Sequence, residues 1–411
     1  MRVCFFNRSY WPDLAATGQL LTELAEDLVA RHGCEVTVVT GRPIIGVNGK
    51  TAGRAQISEE HQNGVRIVRA ASTTFSHRRF AGRAGNYLSY FGLASLAGLR
   101  LPPTDIVVAL TDPPIIGLAA LLAARRAGAR FVFLCEDVFP EVARLLEDFR
   151  SGTVDRLLQS TNRFLLRKAD RVVALGETMA RRLIDGKGAD PTKIAVIHNW
   201  ADCSRIVPGA KANPFSTANG LADRFVVMHS GNLGFSQNLD TLLETADLLR
   251  AHPRIVFAIV GDGARRSALE ARARSAGLDN VKFFPYQPKD TLSDTFASAD
   301  AFVVSLRADL SGYIVPSKLY GILAAGRPYV AAVEDTCEVA GISREFGCGL
   351  VAAPGNAADL ARQILRLHDD PDLAARLGAN ARRAGLNFDR PSQVAKYHEE
   401  FRRLCGEAVA G

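Results

Sequence analysis

The chain has 411 residues, 47% hydrophobic and 23% charged, with 50 Lys+Arg against 43 Asp+Glu for a formal net charge of +7. That length exceeds one ordinary core and implies two domains of roughly 200 residues each. No uncharged apolar run reaches the ~18 residues that a bilayer span needs, so any membrane contact is expected to be peripheral. The positive balance suits anionic partners such as nucleotides, polyphosphates or an acidic membrane face, or else a solvated basic surface. The cysteines number seven, an odd count without a CxxC pair, which reads as reduced, buried thiols of a cytoplasmic protein rather than a disulfide frame or zinc site.

The start, "MRVCFFNRSYWPD", passes from one arginine through a short apolar run to polar and proline residues, the pattern of a first strand and not of a signal peptide. In "YWPDLAATGQLLTELA", Gly18 and Gln19 open the first helix behind a loop of small residues able to approach a ligand closely. The helix "LLTELAEDLVARHG" stops at Gly33 and strand "EVTVVT" follows. The stretch "FSHRRFAGRAGNYLSYFGLASLAGLRLP" interleaves Arg78, Arg79, Arg83 and Arg100 with Phe80, Tyr87, Tyr90 and Phe91. It is either a helix packed on the sheet or one that lies in a membrane interface. Strand "RFVFLCEDVFPE" ends in Glu136 and Asp137. An adjacent carboxylate pair can raise one pKa for proton transfer, and equally can cap a helix or pair with an arginine.

Such βαβ alternation predicts a doubly wound parallel sheet covered on both faces. After Trp200, "ADCSRIVPGAKANPFSTANGLAD" reads as an interdomain linker, and a second alternating series then begins. The fold expected is α/β, two Rossmann-like domains in tandem, with ligands outside the carboxyl ends of the strands and the cleft between the domains as the default site.

Three strand-to-loop junctions of the second series suit a polyanion. "HSGNLGFSQNLDTLL" places Gly231 and Gly234 about Asn232 before a helix start near Asn238 or Asp240, as a phosphate cradle or a plain turn. "VGDGARRSALE" offers a GDG turn with Arg265 and Arg266 available for an anion. "VPSKLYGILAAGRPYV" puts Ser317 and Lys318 at a helix start, where unpaired N–H groups, a hydroxyl and an ammonium could receive a diphosphate. The eight histidines show no metal spacing, and no GxSxG or Walker loop occurs. His198 and His229 end apolar strands and read as packed.

With "FFNRSYWPDLAATGQLLTELAEDLV", "VIHNWAD", "SGNLGFSQNLDTLLETADLL", "VGDGARRSALE", "FFPYQPKD" and "VPSKLYGILAAGRPYV" in view, the chain resembles the GT-B glycosyltransferases of the large retaining family 4. Within it, the bacterial subgroup of exopolysaccharide, O-antigen and capsule assembly, including L-fucosamine and colanic-acid transferases, is similar. The resemblance implies an acceptor-binding domain at 1–205, a nucleotide-sugar domain at 206–390 and a helix at 391–411 crossing back, the two domains facing each other across a cleft. It places Gly18, with Gln19 beside it, near donor phosphate and acceptor, and puts Asn232 and Gln237 where many members carry a diphosphate-gripping arginine and lysine. Ser317 and Lys318 fall at the diphosphate, and Tyr286 and Gln287 at the base. Two glutamates common in the family are replaced by Tyr313 and Gly321, and the common N-domain histidine by Glu136. Lys318 is then the lysine that compensates for Gln237, and Lys318, Asp137 and Glu136 are the catalytic candidates.

The activity implied is transfer of a sugar from a UDP- or GDP-sugar to a lipid-linked saccharide on the cytoplasmic membrane face, with no cofactor, metal or nucleic acid. The acceptor hydroxyl attacks from the side of the leaving group, so no separate nucleophile is required. The alternatives are a nucleotide-sugar 2-epimerase-like enzyme and a catalytically degenerate nucleotide-sugar-binding protein.

Overall fold

The computed structural model of the chain describes residues 1–13, 15–43, 56–75, 80–146 and 151–407, with the side chains of residues 80, 81 and 83 aside. Arg78 and Arg79 of the basic stretch, and the side chain of Arg83, thus lie outside the described residues. Two compact units divide it: Met1–His198 with Gln393–Gly411, and Asn199–Ser392.

The first unit holds β1 (Arg2–Phe6), β2 (Glu35–Gly41), β3 (Ile57–Gln62), β4 (Val65–Ala70), β5 (Ile106–Ala109), β6 (Arg130–Cys135), β7 (Arg171–Ala174) and β8 (Ile194–Val196). Their order is β3-β4-β2-β1-β5-β6-β7-β8, parallel throughout except for the antiparallel pair β3 and β4. That hairpin escaped the sequence reading, although its turn is Asn63-Gly64 with φ of 49° and 81°, the dipeptide best suited to a two-residue hairpin. The second unit holds β9 (Phe225–Ser230), β10 (Ile255–Val260), β11 (Val281–Phe284), β12 (Ala301–Ser305), β13 (Tyr329–Ala332) and β14 (Gly349–Ala352). These form an all-parallel sheet of order β11-β10-β9-β12-β13-β14.

Apart from the polar, exposed edge strand β3, the strands read as largely apolar runs because helices cover both faces. All six residues of β10, IVFAIV, are buried, and Phe257 and Ile259 enter a core with Leu242, Leu243, Leu269 and Ile364 from the flanking helices. Gly33 ends the first helix in a left-handed conformation at φ 63°, its N–H returning to the Val29 carbonyl at 3.1 Å.

Each sheet reverses its winding once. The chain leaves β1 toward β2 and returns to β5 on β1's other side; it leaves β9 toward β10 and β11 and returns to β12. The carboxyl ends of β1 and β5, and of β9 and β12, are therefore the switch points at which open α/β sheets bind ligands.

The stretch read as a linker is folded onto the second unit. Arg382 donates to the Cys203 and Ile206 carbonyls at 3.1 and 3.0 Å, Lys211 pairs with Asp300, and Asn213 caps a short helix, Pro214–Ala218, with a capping box. Its Pro, Gly and Asn content marked irregular backbone correctly, and its packing rests on partners far along the chain. Among the described residues no helix is long and apolar enough to cross a membrane. Six cysteines are buried, and Cys405 is exposed.

Candidate active site

In the second unit, two glycine turns lock together at the ends of β9 and β10. The Gly231 N–H bonds the Val260 carbonyl at 2.9 Å, the Leu233 N–H bonds the Asp262 carbonyl at 2.8 Å, and the Arg265 N–H returns to the Leu233 carbonyl at 3.0 Å. Gly261 and Gly263 take φ of 142° and 155°, and a β-carbon on Gly263 would sit 2.5 Å from Asn232 Oδ1. Only glycine permits both the dihedral and the approach. Asn232 itself is exposed.

Lys318, first residue of the Lys318–Ala324 helix, turns toward these loops. Its Nζ donates to Gln237 Oε1 at 2.8 Å and lies 3.0 Å from Nε2 of His229, on β9. Gln237 is buried, its own carbonyl accepting from the Ser305 hydroxyl at the end of β12. Two sequence-predicted residues, Gln237 and Lys318, are thus brought into direct contact. His229 joins them, fully buried; the sequence showed it only as a polar residue closing an apolar strand. Burial pulls the Lys318 ammonium down to about 7. Burial, and then the nearby Lys318 charge, hold His229 well below its usual range.

The other predicted residues take different positions. The Tyr286 hydroxyl donates to the Asp262 carbonyl at 3.3 Å and its ring is 41% exposed, so it edges the turn after β10. The Gln287 amide folds back onto the Pro285 carbonyl. Ser317 precedes the Lys318 helix and makes no side-chain cap. The two arginines read as available for an anion are already engaged. Arg265 pairs with Asp240 at 2.7 Å and lies over the Phe235 ring, while Arg266 pairs with Glu270 and donates to the Gly261 and Phe284 carbonyls.

In the first unit, carboxylates gather at the switch point. The Ser9 hydroxyl after β1 donates to Asp112 after β5 at 2.9 Å, and the Asp137 N–H after β6 donates to the Thr111 hydroxyl at 3.2 Å. Glu136 is 8% exposed; burial first, then the Asp137 charge, pushes its carboxyl up to about 8. Burial, then Asp112, raises Asp137 to about 7, and Asp112 itself is raised by burial, with Arg8 pulling it back. These groups can bind hydroxyls or hold a proton near neutrality. Gly18 packs on the same loop, a β-carbon there meeting Ser9 and Tyr10 backbone atoms at 3.3 Å, and the Gln19 N–H bonds the Ala15 carbonyl.

Two parallel-sheet units with polar clusters at their switch points have the makings of a GT-B enzyme, and comparison with known proteins agrees. Residues 16–200 match the glycosyl transferase 4-like domain and residues 215–384 the glycosyl transferases group 1 family. The chain belongs to the glycosyltransferases, built of these two domains in that order. It is 27% identical over 358 residues to the colanic acid biosynthesis glycosyl transferase WcaI of Escherichia coli, covering 84% of this chain and 86% of that one. It is 29% identical over 264 residues to the glycosyltransferase WbjE of Pseudomonas aeruginosa, 63% of this chain and 65% of that one. The structure of Anabaena HepE in complex with UDP and glucose matches the fold with a TM-score of 0.74 over 97% of this chain and 99% of that one, at 17% identity.

Proposed function

We propose that the protein is a retaining glycosyltransferase that moves a sugar from a UDP- or GDP-sugar to a lipid-linked saccharide in bacterial cell-surface polysaccharide assembly. The observation that carries this reading is the Lys318–Gln237 contact beside the two interlocked glycine turns, inside the group 1 match. A lysine at a turn rich in close-approaching backbone is fitted to a leaving diphosphate. Support for the donor comes from HepE, whose structures hold UDP and UDP-glucose; support for the pathway comes from the name of the WcaI relative.

In this reading Lys318, Asn232 and the backbone of Gly231 to Gly234 take the diphosphate, while Tyr286 and Gln287 lie by the base. Stabilisation of the departing charge is electrostatic and metal-independent. Gly18, Gln19, Glu136 and Asp137 belong to the acceptor side. The acceptor's lipid is met peripherally: Leu88, Leu96 and Leu99 of the Phe80–Leu99 helix stand exposed at 61%, 38% and 38%, an apolar series suited to a membrane interface.

The test is thermal shift with UDP, GDP, ADP and CMP, with and without Mg²⁺, followed by transfer from the preferred nucleotide-sugar to lipid-linked saccharides. A selective, metal-independent shift with UDP or GDP and acceptor-dependent release of that diphosphate are expected. Epimerised donor formed without acceptor would replace the transferase with a 2-epimerase-like enzyme. Binding without turnover on any acceptor would mark a degenerate binding protein.

A further inference from the structure

We infer that His229 is a positioning residue for Lys318, and that binding of the donor diphosphate takes up one proton at this pair. The inference rests on the donor-site reading above and names a residue and a proton that reading does not require.

The geometry is specific. His229 is the penultimate residue of β9, at the switch point, with no exposed surface. Its Nε2 lies 3.0 Å from Lys318 Nζ, and Gln237 Oε1 accepts from the same nitrogen at 2.8 Å. On a third side the lysine side chain runs along the turn, within ordinary contact of where a β-carbon at Gly231 would stand, 3.4 Å from Cε and 3.6 Å from Nζ. An imidazole that accepts at Nε2 is neutral, with its proton on Nδ1. Nδ1 is buried, and the backbone of Asn232 and Val303 favours a proton on the ring, less than burial and the Lys318 charge oppose it. The pair therefore directs two of the lysine's donors inward and leaves its remaining valence for a ligand.

Lys318 forms no ion pair with a carboxylate of the described residues. The strand ends and helix around it carry His229 on β9, Asp262 after β10, Arg307 after β12 and Tyr320, and the Pro371–Asn387 helix packed on the Lys318 helix carries Arg382, whose guanidinium is committed to the Cys203, Ile206 and Ala324 carbonyls. Of these, His229 alone hydrogen-bonds the amine. Arg265 of the neighbouring turn is paired with Asp240 of the Leu239–Leu248 helix, which Arg272 also holds at 2.6 Å. A half-buried ammonium without an anion is disfavoured, and burial accordingly lowers the amine to about 7. An arriving diphosphate supplies the missing anion and raises that value. Above about pH 7 the free amine is neutral, and binding must draw a proton from solvent. Affinity is full below pH 7 and falls as pH rises, by up to about tenfold per unit for one linked proton.

The experiment is calorimetric titration of the whole protein with UDP-glucose and with GDP-mannose, neither of which titrates between pH 6 and pH 8.5, in two buffers of different ionisation enthalpy. Expected are uptake approaching one proton at pH 8, affinity falling at least fivefold from pH 6.5 to 8.5, and loss of the uptake in Lys318→Arg, whose charge is permanent. His229→Leu is expected to bind at least fivefold more weakly at pH 6.5 with an altered pH profile. His229→Gln, which restores an acceptor, is expected to recover most of the affinity, and circular dichroism checks that both variants are folded. Tight binding with no proton uptake, or a His229→Leu profile equal to the parent's, overturns the inference while leaving the donor site in place. Failure of both nucleotide-sugars to bind at any pH overturns the donor-site reading and this inference with it.

Discussion

Replacing Gly261 by alanine tests whether the two glycine turns are interlocked as described. The new β-carbon would lie 1.9 Å from the Gly231 carbonyl oxygen and 2.9 Å from its carbonyl carbon, at φ 142°. Both obstacles are backbone atoms that cannot rotate aside, so the turns must part or the dihedral must change. Disfavoured dihedrals cost about 1 to 3 kcal/mol and overpacking about 1 to 3 kcal/mol. The variant should thus lose about 2 to 6 kcal/mol, against the gain of at most about 1 kcal/mol that Gly→Ala brings at an unstrained position. The assay is urea unfolding by tryptophan fluorescence in a Trp11→Phe background, which leaves the buried Trp200 as reporter of the second unit. Gly341→Ala is the control: it lies in the Glu338–Phe346 helix with nothing within 4 Å of an added β-carbon, and should be neutral or stabilising by about 0.5 to 1 kcal/mol. If Gly261→Ala unfolds within about 0.5 kcal/mol of the parent, the close approach of these turns is refuted.

Three further outcomes follow from the geometry. Glu136 has its folded pKa raised from 4.5 to about 8, so the folded state holds an extra proton between those values and stability falls as pH rises through that window. Glu136→Gln removes the loss and should be more stable than the parent at pH 9, by on the order of 5 kcal/mol, and an unchanged difference between urea midpoints at pH 5 and pH 9 would contradict it. Lys187 is 5% exposed and pairs with Glu141 at 2.6 Å while donating to the Phe139 carbonyl. Lys187→Met strands a buried carboxylate and should cost about 3 to 5 kcal/mol in denaturant unfolding, with Glu141→Leu added on top recovering much of it. Lys318→Ala should weaken UDP or GDP binding by about 1.5 to 3 kcal/mol in calorimetry, whereas Arg265→Ala, whose guanidinium is committed to Asp240, should change it by less than about 1 kcal/mol.

The alternation of apolar runs and amphipathic stretches determined the two parallel sheets, because a buried parallel strand must be apolar on both faces and its helices on one. The glycine turns were legible for a similar reason: positive φ and close backbone approach restrict the residue itself, wherever the rest of the chain lies. The Lys318–Gln237 pairing needed the fold, since 81 residues separate the two. His229 needed it more, being 89 residues from its lysine and indistinguishable in sequence from a packed strand end. Arg265 and Arg266 looked like free cations until the tertiary structure brought Asp240 and Glu270 to them. The stretch 201–223 looked like a tether because its anchors, Arg382 of the Pro371–Asn387 helix and Asp300 just before β12, lie far along the chain. Local dihedral and periodic demands are written residue by residue and can be read directly. Charge state and hydrogen-bond partnership depend on which groups share a desolvated space, and only the winding of the sheet decides that.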